Sequence, residues 1–117
     1  MPTIRDVVRA LARREGVDAV IILGNDGLPI DSQTADGLDA EAVAAHLPAA
    51  LQACEEFGRS AHCGDLTTGV LEYANGFAVV ANLSHDAKLL MLLRGDAKLG
   101  PLLYDLTRHR AQITGLL

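Results

Sequence analysis

Residues 66–93, LTTGVLEYANGFAVVANLSHDAKLLMLL, contain the strongest indication of the fold in this chain. The apolar and β-branched runs at 66–73, 77–83 and 88–93 each have the length of a strand. The third run is wholly apolar after Lys88, so we expect it to be central in a sheet. Three strands in direct succession predict one antiparallel sheet.

Two short connections join these three strands. Asn75-Gly76 is the strongest short hairpin signal in the chain and favours a type I′ turn. A second tight connection is predicted at residues 84–87, Ser-His-Asp-Ala. The three strands should therefore be neighbours along the chain and close in space.

A second hairpin is predicted nearer the N-terminus. The β-branched run at 17–23 indicates a buried strand, and residues 28–33 return as its partner. The turn between them is Gly-Asn-Asp-Gly at 24–27, a composition that tolerates positive φ. Before this hairpin, Thr3 is the predicted N-cap of a helix that Gly16 ends.

A long helix is predicted at residues 40–59, with Asp39 as its N-cap. Pro48 should kink this helix or break its first half, because proline removes a helical hydrogen bond. The larger side chains form an apolar face that we expect to pack in the core: Val43, Leu47, Leu51, Cys54, and Phe57 or Gly58. The small side chains form a second face: Ala42, Ala45, Ala49 and Ala53.

The last helix is predicted to begin at Gly95-Asp96, with Asp96 as its cap and Pro101 near its first turn. Its buried stripe comprises Leu99, Leu102, Leu103, Leu106 and Ile113. The element order is therefore α-β-β-α-β-β-β-α. The sequence predicts a single α+β domain over residues 1–117, with a five-stranded antiparallel sheet and helices on both faces.

Composition limits the partners. The net charge of −5 and the pI of about 5.2 argue against nucleic acid and against anionic membranes. No segment reaches the ~20 apolar residues of a membrane span, and the N-terminus has no apolar signal-peptide core, so we expect a cytoplasmic protein. Cys54 and Cys63 have neither zinc nor redox spacing and are expected to be free thiols, with Cys54 filling the core.

No catalytic, cofactor or metal site is predicted. Residues 62–65 contain His, Cys and Asp but lack the second pair of ligands that a zinc site needs. Residues 84–86, Ser-His-Asp, have the residue types of a hydrolase triad, but neighbours in a tight turn cannot adopt its geometry. The turn at 24–27 lacks the Lys and Ser/Thr of a phosphate loop. Arg94 is interpreted as a solvated strand end rather than an arginine finger.

The order and spacing of these elements resemble the Roadblock/MglB family, which is related to longin and profilin-like domains. Residues 16–32, GVDAVIILGNDGLPIDS, are similar to the family's first hairpin, and residues 73–77, YANGF, to its central hairpin. Residues 98–103, KLGPLL, resemble the start of its terminal helix. The resemblance covers residues 3–113.

This resemblance implies a non-enzymatic protein, without a cofactor, that acts through protein contacts. Family members form homodimers in which the third strands pair across a two-fold axis and the second helices pack together on one face. Bacterial single-domain members are linked to small Ras-like GTPases, and MglB-type members act as GTPase-activating partners. Eukaryotic relatives are dynein light chains or scaffold subunits. We therefore expect a regulator of a Ras-like GTPase, with a structural adaptor as the alternative.

The residues themselves also favour a dimer. The run at 66–73 has no proline and no charge before Glu72, so it lacks the usual protection of a sheet edge. The predicted dimer or partner interface comprises Ala42, Ala45, Ala49, Ala53, Leu66, Thr68 and Val70. Ordinary packing of the alanine face on the chain's own sheet is the alternative. A small-molecule sensor is a third possible function, disfavoured because the strands offer few buried polar groups.

Overall fold

The computed structural model describes residues 2–84 and 86–117. They form a five-stranded antiparallel sheet with helices on both faces, which confirms the predicted α+β class. The elements in chain order are α1 (Ile4–Ala12), β1 (Val17–Gly24), β2 (Pro29–Thr34), α2 (Ala40–Ala45), α3 (Leu47–Ser60), β3 (Thr68–Tyr73), β4 (Gly76–Ser84), β5 (Ala87–Arg94) and α4 (Leu99–Thr114). The predicted connection at 84–87 includes His85, which lies outside the described residues.

The strands lie in the order β2-β1-β5-β4-β3, and every neighbouring pair is antiparallel. β5 is central, as its apolar sequence predicts, and Leu89 and Met91 are almost completely buried. β2 and β3 are the two edge strands.

Two apolar layers cover the sheet. α1 and α4 lie on one face, where Val8, Leu102 and Leu106 pack against side chains of β1, β4 and β5. α2 and α3 lie on the opposite face, where Ala44 and Leu51 pack with the alternate side chains of the same strands. Side chains of a strand point to opposite faces in turn, which is why the apolar run at 89–93 of β5 contributes to both layers.

The predicted break at Pro48 is confirmed. α2 ends at Ala45, His46 caps both helices, and α3 begins at Leu47 with Pro48 in its first turn. Proline is tolerated there because the first N–H groups of a helix have no partner within it. Asp39 accepts hydrogen bonds from the backbone N–H groups of Glu41 and Ala42 and is the N-cap that the sequence predicts.

Two predicted helix ends are wrong. α1 ends at Ala12, so Gly16 is not its C′ residue, although its φ of +87° lies in the turn that leads into β1. α4 begins at Leu99, so Asp96 does not cap it and instead lies 3.8 Å from Arg94 Nε.

The prediction of a type I′ turn at Asn75-Gly76 is also wrong. Tyr73 pairs with Gly76, so Ala74 and Asn75 occupy the centre of the turn, and neither has a positive φ. Gly76 is needed for another reason: a Cβ there would overlap the carbonyl oxygen of Leu93 on β5.

The predicted apolar face of the long helix is only partly correct. Leu47 and Leu51 are buried, but Cys54 is exposed and is not core filler. Phe57 is 77% exposed. The helix leaves the core beyond Leu51, so these two side chains are turned away from the sheet.

Candidate protein–protein interface

The edge strand β3 starts two residues later than predicted. The carbonyl oxygen of Leu66 accepts a 2.5 Å hydrogen bond from Asn82 Nδ2, and that of Thr67 accepts one from the backbone N–H of Asn82. The Leu66 side chain packs in the layer under α2 and α3. The carbonyl oxygen and the side chain of Leu66 therefore both make contacts within the chain. The prediction of Leu66 as an interface residue is wrong.

The outer side of β3 presents free backbone groups. Along an antiparallel strand, backbone groups point alternately to one neighbour and to the other. Because Thr67 bonds to β4, the N–H and C=O groups of Thr68, Val70 and Glu72 point away from it. Within residues 2–84 and 86–117, no strand pairs with this side.

The side chains of β3 are unusually apolar for an exposed edge. Val70, Leu71 and Tyr73 are 40%, 48% and 62% exposed. The register places Val70 beside Val79, on the α4 side of the sheet, and Leu71 on the opposite face with α3. Both faces of this edge therefore expose apolar side chains.

All four residues of the predicted alanine face are exposed on the outer side of α2 and α3: Ala42, Ala45, Ala49 and Ala53. Ala44 is the alanine that packs on the sheet, and it is completely buried. The alternative in which the alanine face covers its own sheet is therefore wrong.

Phe57 extends this exposed surface, although the sequence pattern predicts that it lies in the core. Ala49, Ala53 and Phe57 are spaced four apart, so they lie on one side of α3. This spacing is visible in the sequence. Size alone places Phe57 with the large apolar side chains of the core, and therefore not with the alanines that share its side of the helix.

Arg110 of α4 reaches the edge strand. Its Nη2 donates a 2.5 Å hydrogen bond to Thr68 Oγ1, while its Nε is buried without a hydrogen-bond partner in the described part of the chain. Two carboxyls with perturbed ionisation lie elsewhere. The hydrogen bond from the Thr3 backbone lowers the pKa of Asp6, and the hydrogen bond from Arg14 lowers the pKa of Asp105.

Arg94 has a structural role at the end of β5. Its Nη1 lies 3.1 Å from Asp18 Oδ1, and its backbone N–H donates to the carbonyl oxygen of Gly16. Across residues 2–84 and 86–117, no cluster of three His, Cys, Asp or Glu side chains could hold a metal ion, and no helix has the length and apolarity to cross a membrane.

An open groove of about 780 Å³ lies between α3 and the ends of β4 and β5. Its lining mixes Glu55 and Asp65 with Arg59 and Lys88, so the charges do not converge on a ligand of one sign. Lys88 Nζ already donates to the carbonyl oxygen of Ser84. The groove thus offers less support for a function than the exposed β3 edge and α3 face.

Residues 3–93 match the family model of the Roadblock/LC7 domain. The chain belongs to the Roadblock/LC7 family. A curated relative of this Roadblock/LC7 chain, the uncharacterized protein MJ0310 of Methanocaldococcus jannaschii, is 30% identical over 105 residues, which cover 90% of each chain.

Solved structures share the Roadblock/LC7 fold over almost the whole chain. The Roadblock/LC7 domain from Streptomyces avermitilis has a TM-score of 0.84 at 19% identity and is covered over 97% of both chains. Myxococcus xanthus MglB has a TM-score of 0.87 at 14% identity, covering 97% of this chain and 93% of MglB. An MglB described as having a tetrameric arrangement has a TM-score of 0.84 at 13% identity, with 97% and 86% coverage.

Proposed function

We propose that this Roadblock/LC7 chain forms a homodimer in the cytoplasm and, as that dimer, regulates a small Ras-like GTPase through protein contact alone. The observation that carries the proposal is the free edge of β3, with exposed Val70, Leu71 and Tyr73. A flat apolar edge in a monomer would be an aggregation site. Pairing with a second copy satisfies its backbone groups and closes the assembly.

The outer side of α2 and α3 supports the same arrangement. Phe57 offers a large apolar side chain, and Ala49 and Ala53 beside it are small enough for another helix to approach closely. Leu71 and Tyr73 lie on the same face of the sheet as α3. A dimer through β3 would bring the two copies' helical layers to one side, so the strand and helix contacts would be continuous. The proposed interface comprises the predicted residues other than Leu66, with three exposed apolar residues added: Ala42, Ala45, Ala49, Ala53, Phe57, Thr68, Val70, Leu71 and Tyr73.

The GTPase part of the proposal is supported by the resemblance to MglB-type proteins, which act on Ras-like GTPases. A protein without catalytic groups accelerates hydrolysis when it binds the GTPase's active conformation more tightly than the inactive one. The helical surface that the proposed dimer contact leaves exposed is available for the GTPase.

The dimer is tested with two substitutions at one position. Val70→Pro removes an N–H that points away from β4, so the intrachain ladder is kept while the dimer loses one hydrogen bond per copy. We expect dissociation to increase about tenfold, since two lost hydrogen bonds are worth ~1–3 kcal/mol. Val70→Thr keeps the N–H and the β-branched shape and is the matched control. Equal sedimentation-equilibrium Kd values for both variants would argue against the β3 interface.

The regulatory role is tested by measuring GTP hydrolysis of the small Ras-like GTPase encoded nearest to this gene, with and without the protein. Faster hydrolysis with wild type, lost with the dimer-weakening Val70→Pro, supports the regulator. Binding without acceleration favours the structural adaptor. Absence of binding contradicts this GTPase as the partner.

A further inference from the structure

Arg110 is a partly buried cation that has no counter-charge among the residues that the structure describes. Among residues 2–84 and 86–117, its guanidinium makes one hydrogen bond, to Thr68 Oγ1, and its Nε is buried without a partner. In the part of the chain that the structure describes, no carboxylate lies within 4 Å of its guanidinium. A half-buried guanidinium is stabilised when a carboxylate is supplied nearby.

Glu72 is the complementary group on the same edge. It is the one charged residue of β3, it is exposed, and no cation lies within 4 Å of it among residues 2–84 and 86–117. Thr68, Val70 and Glu72 alternate along the strand and share the face that α4 covers. Within one chain Glu72 and Thr68 are four residues apart along an extended strand, so Arg110 does not reach its own Glu72.

Symmetry restricts how two β3 strands can pair. A two-fold axis perpendicular to the sheet keeps each face on its own side, so residues directly opposite each other must share a face. The axis therefore lies midway between one residue and the same residue of the partner strand, and not between two successive positions. An axis at Val70 places Thr68 opposite the partner's Glu72. An axis at Leu71 places Glu72 opposite the partner's Val70, and an axis at Glu72 brings two like charges together, which is destabilising.

We propose that two copies pair with Val70 on the two-fold axis, and that Arg110 of each protomer forms an ion pair with the partner's Glu72 across Thr68. This inference rests on the self-association proposed above and adds its register. Directly opposite residues have Cβ atoms about 4.5–5.5 Å apart. The Glu72 carboxylate of the second copy, lying beside Thr68, would thus be within reach of the Arg110 guanidinium that Thr68 already binds.

Two further features agree with this register. Thr68, Val70 and Glu72, whose backbone groups face outward, all pair with one another, which gives the longest ladder that β3 allows. On the other face, Leu71 comes opposite the partner's Gly69. A Cβ built on Gly69 meets no atom within 4 Å, so there is open space above it for the exposed Leu71 side chain.

The ion pair is tested by charge reversal and restoration. Glu72→Arg and Arg110→Glu are each expected to raise the dimer Kd about tenfold or more, as for close interfacial charge pairs, and the double variant to recover most of that loss. Glu72→Gln removes the charge at an exposed position and is expected to keep the fold. It tests the ion pair even if Arg110→Glu does not fold. Asp36→Arg, in an exposed loop away from β3, combined with Arg110→Glu is the control and should give no recovery.

Cross-linking tests the register independently. In a Cys54→Ser/Cys63→Ser background, Val70→Cys should give a disulfide-linked dimer, because opposite hydrogen-bonded residues have Cα atoms about 5.5 Å apart. Leu71→Cys should remain unlinked. The register is wrong, and the self-association is kept, if the wild type is a dimer but the effects of the two charge variants on Kd are additive. Disulfide linkage through Leu71→Cys leads to the same conclusion. A wild-type protein that sediments as a monomer at every concentration overturns the self-association itself.

Discussion

The side-chain amide of Asn82 on β4 donates a 2.5 Å hydrogen bond to the carbonyl oxygen of Leu66, just before β3 begins. The backbone N–H of Asn82 donates to Thr67 in addition. Asn82 thus binds the carbonyl oxygens of both residues that precede the edge strand, Leu66 and Thr67. This fixes which backbone groups of β3 turn toward β4 and which remain free for another chain.

Asn82→Leu should destabilise the fold. The substitution removes the donor and leaves the Leu66 carbonyl without its partner, at a cost of about 1–3 kcal/mol. Urea unfolding at a protein concentration where the oligomeric state is constant measures the effect. Gln52→Ala, which removes an exposed amide on α3, is the control and should stay within about 0.5 kcal/mol of wild type. Equal stability of the Asn82 variant and this control would refute the role of the hydrogen bond.

Phe57→Lys should weaken self-association without unfolding the chain. The side chain is 77% exposed, so the monomer loses little packing, whereas a buried aromatic contact between two copies would be replaced by a charge. Tyr104→Lys on α4 is the matched control, since Tyr104 is also an exposed aromatic at 62% and lies on the opposite face of the sheet. Light scattering and thermal melting of both variants separate association from stability. A lower melting temperature for Phe57→Lys with unchanged mass would place Phe57 outside the interface.

Gly76→Ala should destabilise the sheet, because the new Cβ would overlap the Leu93 carbonyl oxygen and force β4 and β5 apart. Overpacking of this kind costs about 1–3 kcal/mol. Gly100→Ala is the comparison, because a Cβ at Gly100 in the first turn of α4 meets no atom within 4 Å. That variant should be neutral or more stable by up to about 1 kcal/mol. Chemical denaturation measures the stability of both variants. Similar free energies of unfolding for Gly76→Ala and Gly100→Ala would contradict the close approach of β4 and β5 at Gly76.

The Arg14–Asp105 contact should make stability depend on pH in the acid range. Arg14 Nη1 lies 2.7 Å from Asp105 Oδ2, and this hydrogen bond holds the pKa of Asp105 below its ordinary value. A carboxyl with a lowered folded-state pKa stabilises the fold above its unfolded pKa of about 3.9, and the benefit disappears as the pH falls through the folded value.

Melting temperatures of wild type and Asp105→Asn from pH 7 to pH 2 test this dependence. The difference should be present at pH 6 and vanish toward pH 2. Asp36→Asn, which replaces an exposed loop carboxylate, is the control for loss of one negative charge. A wild-type advantage that persists at pH 2 would exclude ionisation of Asp105 as its source.

Several features of this chain were determined by local sequence. The β-branched run at 17–23 and the apolar run at 88–93 predict strands because alternation and length are properties of a short segment. Thr3 and Asp39 cap helices because a side-chain oxygen satisfies a nearby N–H group of its own helix. Pro48 breaks the second helix for an equally local reason.

The candidate interface was predicted in part. The alanine face and the strand containing Val70 follow from periodicity and from the lack of proline and charge. Periodicity wrongly predicts Cys54 and Phe57 in the core, because it shows that a helix has an apolar side but not how far along the helix the sheet extends beneath it. The sequence predicts Leu66 in the edge strand because it does not show that Asn82, sixteen residues later, binds the Leu66 carbonyl oxygen.

The elements, their order and the apolar character of β3 follow from local sequence, because each depends on residues close together along the chain. The three-dimensional packing places β3 at the edge of the sheet, exposes Phe57, and brings Arg110 to Thr68 across forty-two positions. Strand order and helix position follow from the packing of two apolar layers on one sheet. That packing joins residues far apart in sequence, and no local pattern encodes it.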